Sequence, residues 1–115
     1  MGRIRLVGWV VLLGALLGFA ALPASADDLP ILHITIENAH FKPTVLQVPA
    51  GKKFKLKVLN KGPAVEEFES SDLNREVIVL PGRSIDVYLG PLQPGRYKVF
   101  GDFHPKTAKA ELVAK

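Results

Sequence analysis

The chain has 115 residues, no cysteine and a formal net charge of +4. That length excludes more than one ordinary domain, and the missing cysteines exclude disulfides, thiol catalysis, zinc–thiolate sites and iron–sulfur clusters. Two of the positive charges are Arg3 and Arg5, so the rest of the chain carries only +2, which does not point to nucleic acid.

The N-terminus is read first. Arg3 and Arg5 precede an uncharged apolar run from Leu6 to Leu22. Pro23 breaks that run, and Ala24-Ser25-Ala26 has the small-x-small form of a signal-peptidase site before the polar Asp27-Asp28. Residues 1–26 therefore read as a cleaved signal peptide, and residues 27–115 as the exported domain. The apolar run is short for a membrane anchor. A domain of this size without disulfides must be held by its core, helped where one exists by a bound metal.

Beyond residue 30 the chain reads as some eight short strands with alternating residue types, punctuated by proline and glycine. Ile31–Ile36 is the first, with Leu32, Ile34 and Ile36 on one face. Phe41 to Pro43 is expected to turn the chain into Thr44–Val48. After the turn Pro49–Lys52, Phe54, Leu56 and Val58 alternate with Lys53, Lys55 and Lys57, and Lys52 extends this basic cluster on a solvated face. Asn60-Lys61-Gly62-Pro63 ends that strand. Glu66–Ser70 around Phe68, Val77–Leu80, Ile85–Leu89, Tyr97–Phe100 and Glu111–Ala114 complete the set. No segment sustains a 3.6-residue period, and Ser71 to Arg75 can form one helical turn at most. The pattern predicts an all-β, two-sheet sandwich with Greek-key connections.

Gly95-Arg96-Tyr97-Lys98-Val99-Phe100-Gly101-Asp102-Phe103-His104 resembles the Gly-x-Tyr-x-Phe-x-Cys-x-x-His stretch of the cupredoxins, the blue-copper fold. By this resemblance Gly101 stands at the cysteine position and His104 at the histidine. Ala108 stands near the axial methionine and Ala110 at the following glycine. Asn60-Lys61-Gly62 is similar to the loop before the family's first histidine ligand, and Glu66 or Glu67 lies where that histidine would be. A blue-copper centre needs a thiolate, two histidines and a weak axial ligand, so a blue-copper electron carrier is excluded. The Glu66–Ser70 run and the Asp102-Phe103-His104-Pro105 ending are similar to cupredoxin-like domains of bacterial periplasmic iron-uptake proteins that accompany iron permeases. That branch implies a periplasmic domain that handles iron or copper through acidic residues.

The candidate metal ligands are His104, Glu66, Glu67, Glu69, Asp102 and His40. If Phe68 points to the core, Glu66 lies at the core's edge and Glu67 and Glu69 face outward. The cupredoxin topology implies that the loop after Asn60 and the loop holding His104 meet at one end of the sandwich. Carboxylates with imidazole suit iron, manganese, zinc or copper(II) without choosing among them. His33 reads as an ordinary strand residue, and Glu76 as a solvated partner of Arg75. The expected function is a periplasmic metal-binding protein. It would serve a membrane iron permease or another envelope transport component. The alternative is a metal-free structural or interaction module of the envelope. An enzyme is not expected, since no Ser/His/Asp spacing or paired-carboxylate cleft stands out. Iron(II) oxidation at a carboxylate–histidine site is chemically reasonable all the same.

Overall fold

The computed structural model of the chain describes Gly2 and residues 28–115. Apart from Gly2, the segment read as a signal peptide lies outside the described residues. The described part holds nine strands: β1 (Ile31–Glu37), β2 (His40–Lys42), β3 (Val45–Val48), β4 (Phe54–Asn60), β5 (Glu66–Ser70), β6 (Arg75–Val79), β7 (Ser84–Leu89), β8 (Gly95–Gly101) and β9 (Lys109–Ala114). They form a four-stranded sheet, β2-β1-β4-β7, and a five-stranded sheet, β3-β9-β8-β5-β6. β1 runs parallel to β4, and β3 parallel to β9.

The inward faces follow the alternation. Ile34 and Ile36 of β1, Phe54, Leu56 and Val58 of β4, and Val87 and Leu89 of β7 meet Val48, Phe68, Val79, Val99 and Leu112 from the other sheet, all at most 3 % exposed. One expectation changes. Phe41 does not turn the chain but lies in β2, buried, with its ring edge-on to Phe68 at 6.2 Å. Asn38 and Ala39 link β1 to β2 with φ of 49° and 60°. Two consecutive positive φ values make the tight primed hairpin turn that suits strand twist. Alanine is an unusual occupant there, so the dipeptide carried no recognisable turn signal.

β5 owes its start to one side chain. Asn60 is fully buried at the end of β4. Its Nδ2 donates to the carbonyls of Ala64, at 2.8 Å, and Val79, at 2.9 Å. Its Oδ1 accepts from the Gly62 N–H at 2.8 Å. The asparagine thus ties the loop that leads into Glu66 to β6 on the opposite sheet. Each of these groups would be buried without a partner if the amide were removed. Asn60→Ala is therefore expected to cost about 2–4 kcal/mol in urea unfolding. Asn60→Asp, which sets a buried carboxylate oxygen against the Ala64 and Val79 carbonyls, should cost at least as much.

Candidate metal centre

Alternation along β5 sends its two sets of side chains to different places. Glu66, Phe68 and Ser70 point into the sandwich, and Glu67 and Glu69 point out of the five-stranded sheet. Glu66 is only 1 % exposed. Its Oε1 accepts the N–H of Glu67 at 2.9 Å and of Phe103 at 3.0 Å. Its Oε2 lies 2.5 Å from Nδ1 of His104. Because a carboxylate oxygen accepts, Nδ1 carries the proton of that bond, and Nε2 is the ring nitrogen left for another partner.

The space for Glu66 exists because residue 101 is glycine. A Cβ at Gly101 would come within 2.5 Å of Glu66 Cδ, 2.7 Å of its Oε1 and 2.6 Å of Ala108 Cβ. The β8–β9 connection is closed around this point. Gly101 donates to Ala108 O at 2.8 Å, and Ala108 donates to His104 O at 2.9 Å. The loops holding Glu66 and His104 do meet, and they meet by a direct carboxylate–imidazole hydrogen bond.

A second group lies on the outside. Glu67, Glu69 and Glu76 each offer a carboxylate oxygen, and these oxygens lie within 4.8 Å of one another. Glu69 and Glu76 face each other directly across the β5–β6 pair. Glu67 is 6 % exposed, and its Oε1 is buried without a hydrogen-bond partner. Asp102 closes the group from the β8 side, its N–H donating to the Glu67 carbonyl at 3.1 Å. The Glu67 carboxyl is pushed up from 4.5 to about 7, first by a hydrogen bond shared with Glu76, then by burial and by the charges of Glu76, Asp102 and Glu69. Glu69 is raised too, by burial first and then by Asp102 and Glu76.

Glu76 is the ligand candidate the sequence did not single out. Arg75 does not pair with it. The guanidinium instead donates to the carbonyls of Leu73, Asn74 and Tyr88, and Glu76 is turned to Glu67 and Glu69. The signal was available: the hairpin register of β5 and β6 places residue 76 opposite residue 69. His40 joins neither group. It sits on β2 of the other sheet with Nδ1 2.7 Å from the Asn38 carbonyl.

With this geometry in hand, comparisons with known proteins decide the family. The sequence profile of the cupredoxin-like domain matches residues 9–114. The chain belongs to the cupredoxin-like domain family. An uncharacterised protein of Rickettsia prowazekii (strain Madrid E) is 44 % identical over 87 residues, which span 76 % of this chain and 70 % of that protein. Among solved structures, auracyanin A, a blue copper protein from Chloroflexus aurantiacus, superposes with a TM-score of 0.62 at 13 % identity, covering 74 % of this chain and 98 % of that one. A purple cupredoxin from Nitrosopumilus maritimus gives 0.55 at 18 % identity, covering 73 % and 99 %. The periplasmic domain of cytochrome oxidase subunit II from Bradyrhizobium japonicum gives 0.63 at 10 %, covering 75 % and 83 %. At these identities the structures speak to the fold alone.

The donor set of a blue-copper centre does not fit this cupredoxin-like chain. Gly101 and Ala108 offer no sulfur, and the Glu66 carboxylate fills the room a side chain at residue 101 would need. This end of the sandwich is closed by an internal hydrogen-bonded pair.

Two predictions follow from this geometry. Gly101→Ala should cost about 1–3 kcal/mol by overpacking, and Glu66→Ala about 2–4 kcal/mol by leaving two amides unpaired. Denaturant titration of the double variant should give less than the sum, because the added methyl enters space the carboxylate has left. The second concerns pH. The metal-free folded protein holds a proton on Glu67 between pH 4.5 and about 7 that the unfolded chain has released. Its contribution to stability is therefore greatest below that window and lost as pH rises through it. The melting temperature of the parent relative to Glu67→Gln should fall steadily from pH 4.5 to 8.

Proposed function

We propose that this is an exported cation-binding domain whose metal sits on Glu67, Glu69 and Glu76, with Asp102 beside them. The carrying observation is the Glu67 carboxylate oxygen, buried among other carboxylates with no hydrogen-bond partner. Buried polar atoms are normally paired. A cation offers this oxygen a partner and offsets the mutual repulsion of the gathered carboxylates.

The donor set argues for the class of metal. All the converging ligand atoms are oxygens, which suit hard cations rather than soft ones such as copper(I). Three or four carboxylates on one small patch also favour a high ionic charge. Iron is the cargo this set supports best, and manganese is the hard divalent alternative. The polar N-terminal pattern of Arg3, Arg5, the apolar run and Ala24-Ser25-Ala26 supports export to the periplasm, where a membrane iron permease is the natural recipient.

A second reading draws on a specific feature. The Glu66–His104 hydrogen bond fills the end of the sandwich with protein groups, which suits a domain kept as an interaction module of the envelope.

Thermal unfolding with iron(III), iron(II), manganese(II), copper(II) and zinc(II) separates the two readings. At a metal concentration about a hundredfold above Kd, stabilisation should reach about 2.7 kcal/mol. The shift should be largest for iron or manganese. It should shrink at least about tenfold in apparent affinity in Glu67→Gln and Glu69→Gln, and persist in His104→Ala. A shift that depends on His104 and ignores Glu67 would move the site to that end of the sandwich. No shift with any cation would leave the interaction module.

A further inference from the structure

The outer face of the five-stranded sheet carries more than the acidic group. Register builds one row across it. Glu76 on β6 stands opposite Glu69 on β5, Glu69 opposite Phe100 on β8, and Phe100 opposite Lys109 on β9. Lys98 lies two residues before Phe100, on the same face of β8. A groove of about 290 Å³ opens beside this row, lined by Lys98, Val99, Phe100, Pro105, Lys109 and Ala110.

The ammonium groups of this groove are unanswered. Lys98 stands opposite Glu111, yet Glu111 pairs with Arg96 at 2.8 Å. Among the described residues neither Lys98 nor Lys109 has an acidic partner. The carboxylates of Glu67, Glu69 and Glu76 turn to one another instead, and Phe100 stands between the two groups in the row. Positive and negative groups thus share one face without neutralising each other. A cation on the acidic group would also be left partly unwrapped. Each glutamate there offers one oxygen, so three or four carboxylates leave open positions on an octahedral ion. Those positions face outward from the sheet.

Resting on the metal reading above, we propose that the cation is taken together with a small organic polycarboxylate that lies in this groove. One carboxylate of the anion fills the open positions on the ion, and the others meet Lys98 and Lys109. Adjacent strands are about 4.8 Å apart, so the groove begins roughly 5–10 Å from Glu69, within the joint reach of such a molecule and a flexible lysine stem. The charge of the two lysines and of the cation decides the sign of the ligand. The volume decides its size: about 290 Å³ stands at the lower end of small-molecule sites, which suits an organic acid and excludes a large chelator. Phe100 and Pro105 give the groove apolar walls, which favours a carbon framework over inorganic phosphate.

Equilibrium dialysis tests it, with isotope-labelled citrate as the probe and manganese(II), or iron(II) without oxygen, as the metal. Metal retention is measured first without citrate. Citrate retention is expected to rise at least about fivefold when metal is present. It should return to the metal-free level in Glu67→Gln. It should drop at least about fivefold in a double variant, Lys98→Gln with Lys109→Gln, whose circular dichroism matches the parent. Metal retained by the parent with no citrate would overturn the inference and leave the metal reading standing. No retention of either metal would overturn both. Citrate held equally without metal, or held in full by the folded double variant, would also overturn it. So would complete displacement by an equal concentration of inorganic phosphate, which would open the groove to any anion.

Discussion

The hydrogen bond between Glu66 and His104 sets the terms for one whole end of the molecule. A buried carboxylate is costly unless it is richly hydrogen-bonded, and here three donors converge on it from two loops. Those donors belong to β5, to the β8–β9 connection and to the histidine ring. The pair therefore joins two separate segments at one end of the sandwich. Gly101 is the steric condition for it, since a side chain there would run into the carboxylate. That end of the sandwich is thus closed by the protein's own groups.

The acidic group begins one residue along the strand. β5 is buried on both sides: Glu66 and Phe68 face the core, while Glu67 faces carboxylates from β6 and the Asp102 loop. Glu67 is raised first by its hydrogen bond with Glu76 and Glu69 first by burial, and the neighbouring like charges add to both. A structural role alone gives no reason to gather them. Replacing Glu76 or Asp102 by a neutral residue would relieve the repulsion at no evident cost to packing, because both are exposed. The unpaired oxygen of Glu67 points the same way, since a side chain so placed is unstable on its own and useful with a cation.

Much of this was legible in the sequence, for physical reasons that can be named. The strand at Phe54–Val58 could hardly be misread, because lysines and apolar residues alternate on a half-buried sheet. The facing of Glu66 and the outward pair Glu67 and Glu69 follows once Phe68 is placed in the core. The closeness of Glu66 and His104 came from resemblance, not from periodicity. What the sequence hid depended on partners distant along the chain. β2 is three residues long, too short for a period, and its turn uses alanine where glycine would announce it. Glu76 looked like the neighbour of Arg75 because adjacency is visible in sequence and cross-strand register is not. The guanidinium prefers three backbone carbonyls, and the glutamate belongs to the opposite strand. His40 looked near the site only while β2 was taken for a loop.

Register is the link between stability and chemistry in this domain. Strand side chains alternate, so a slip of one residue along β5 would exchange its faces. Glu67 would enter the room beside Gly101, and Glu66 would join Glu76 outside. Charge does not forbid this, since both residues are glutamates. Phe68 does, because its ring must remain in the core against Phe41, and Asn60 does, because its bonds to Ala64 and Val79 hold the start of β5 against the end of β6. An apolar ring and a buried amide thus decide which of two adjacent identical carboxylates closes the fold and which joins the acidic group outside.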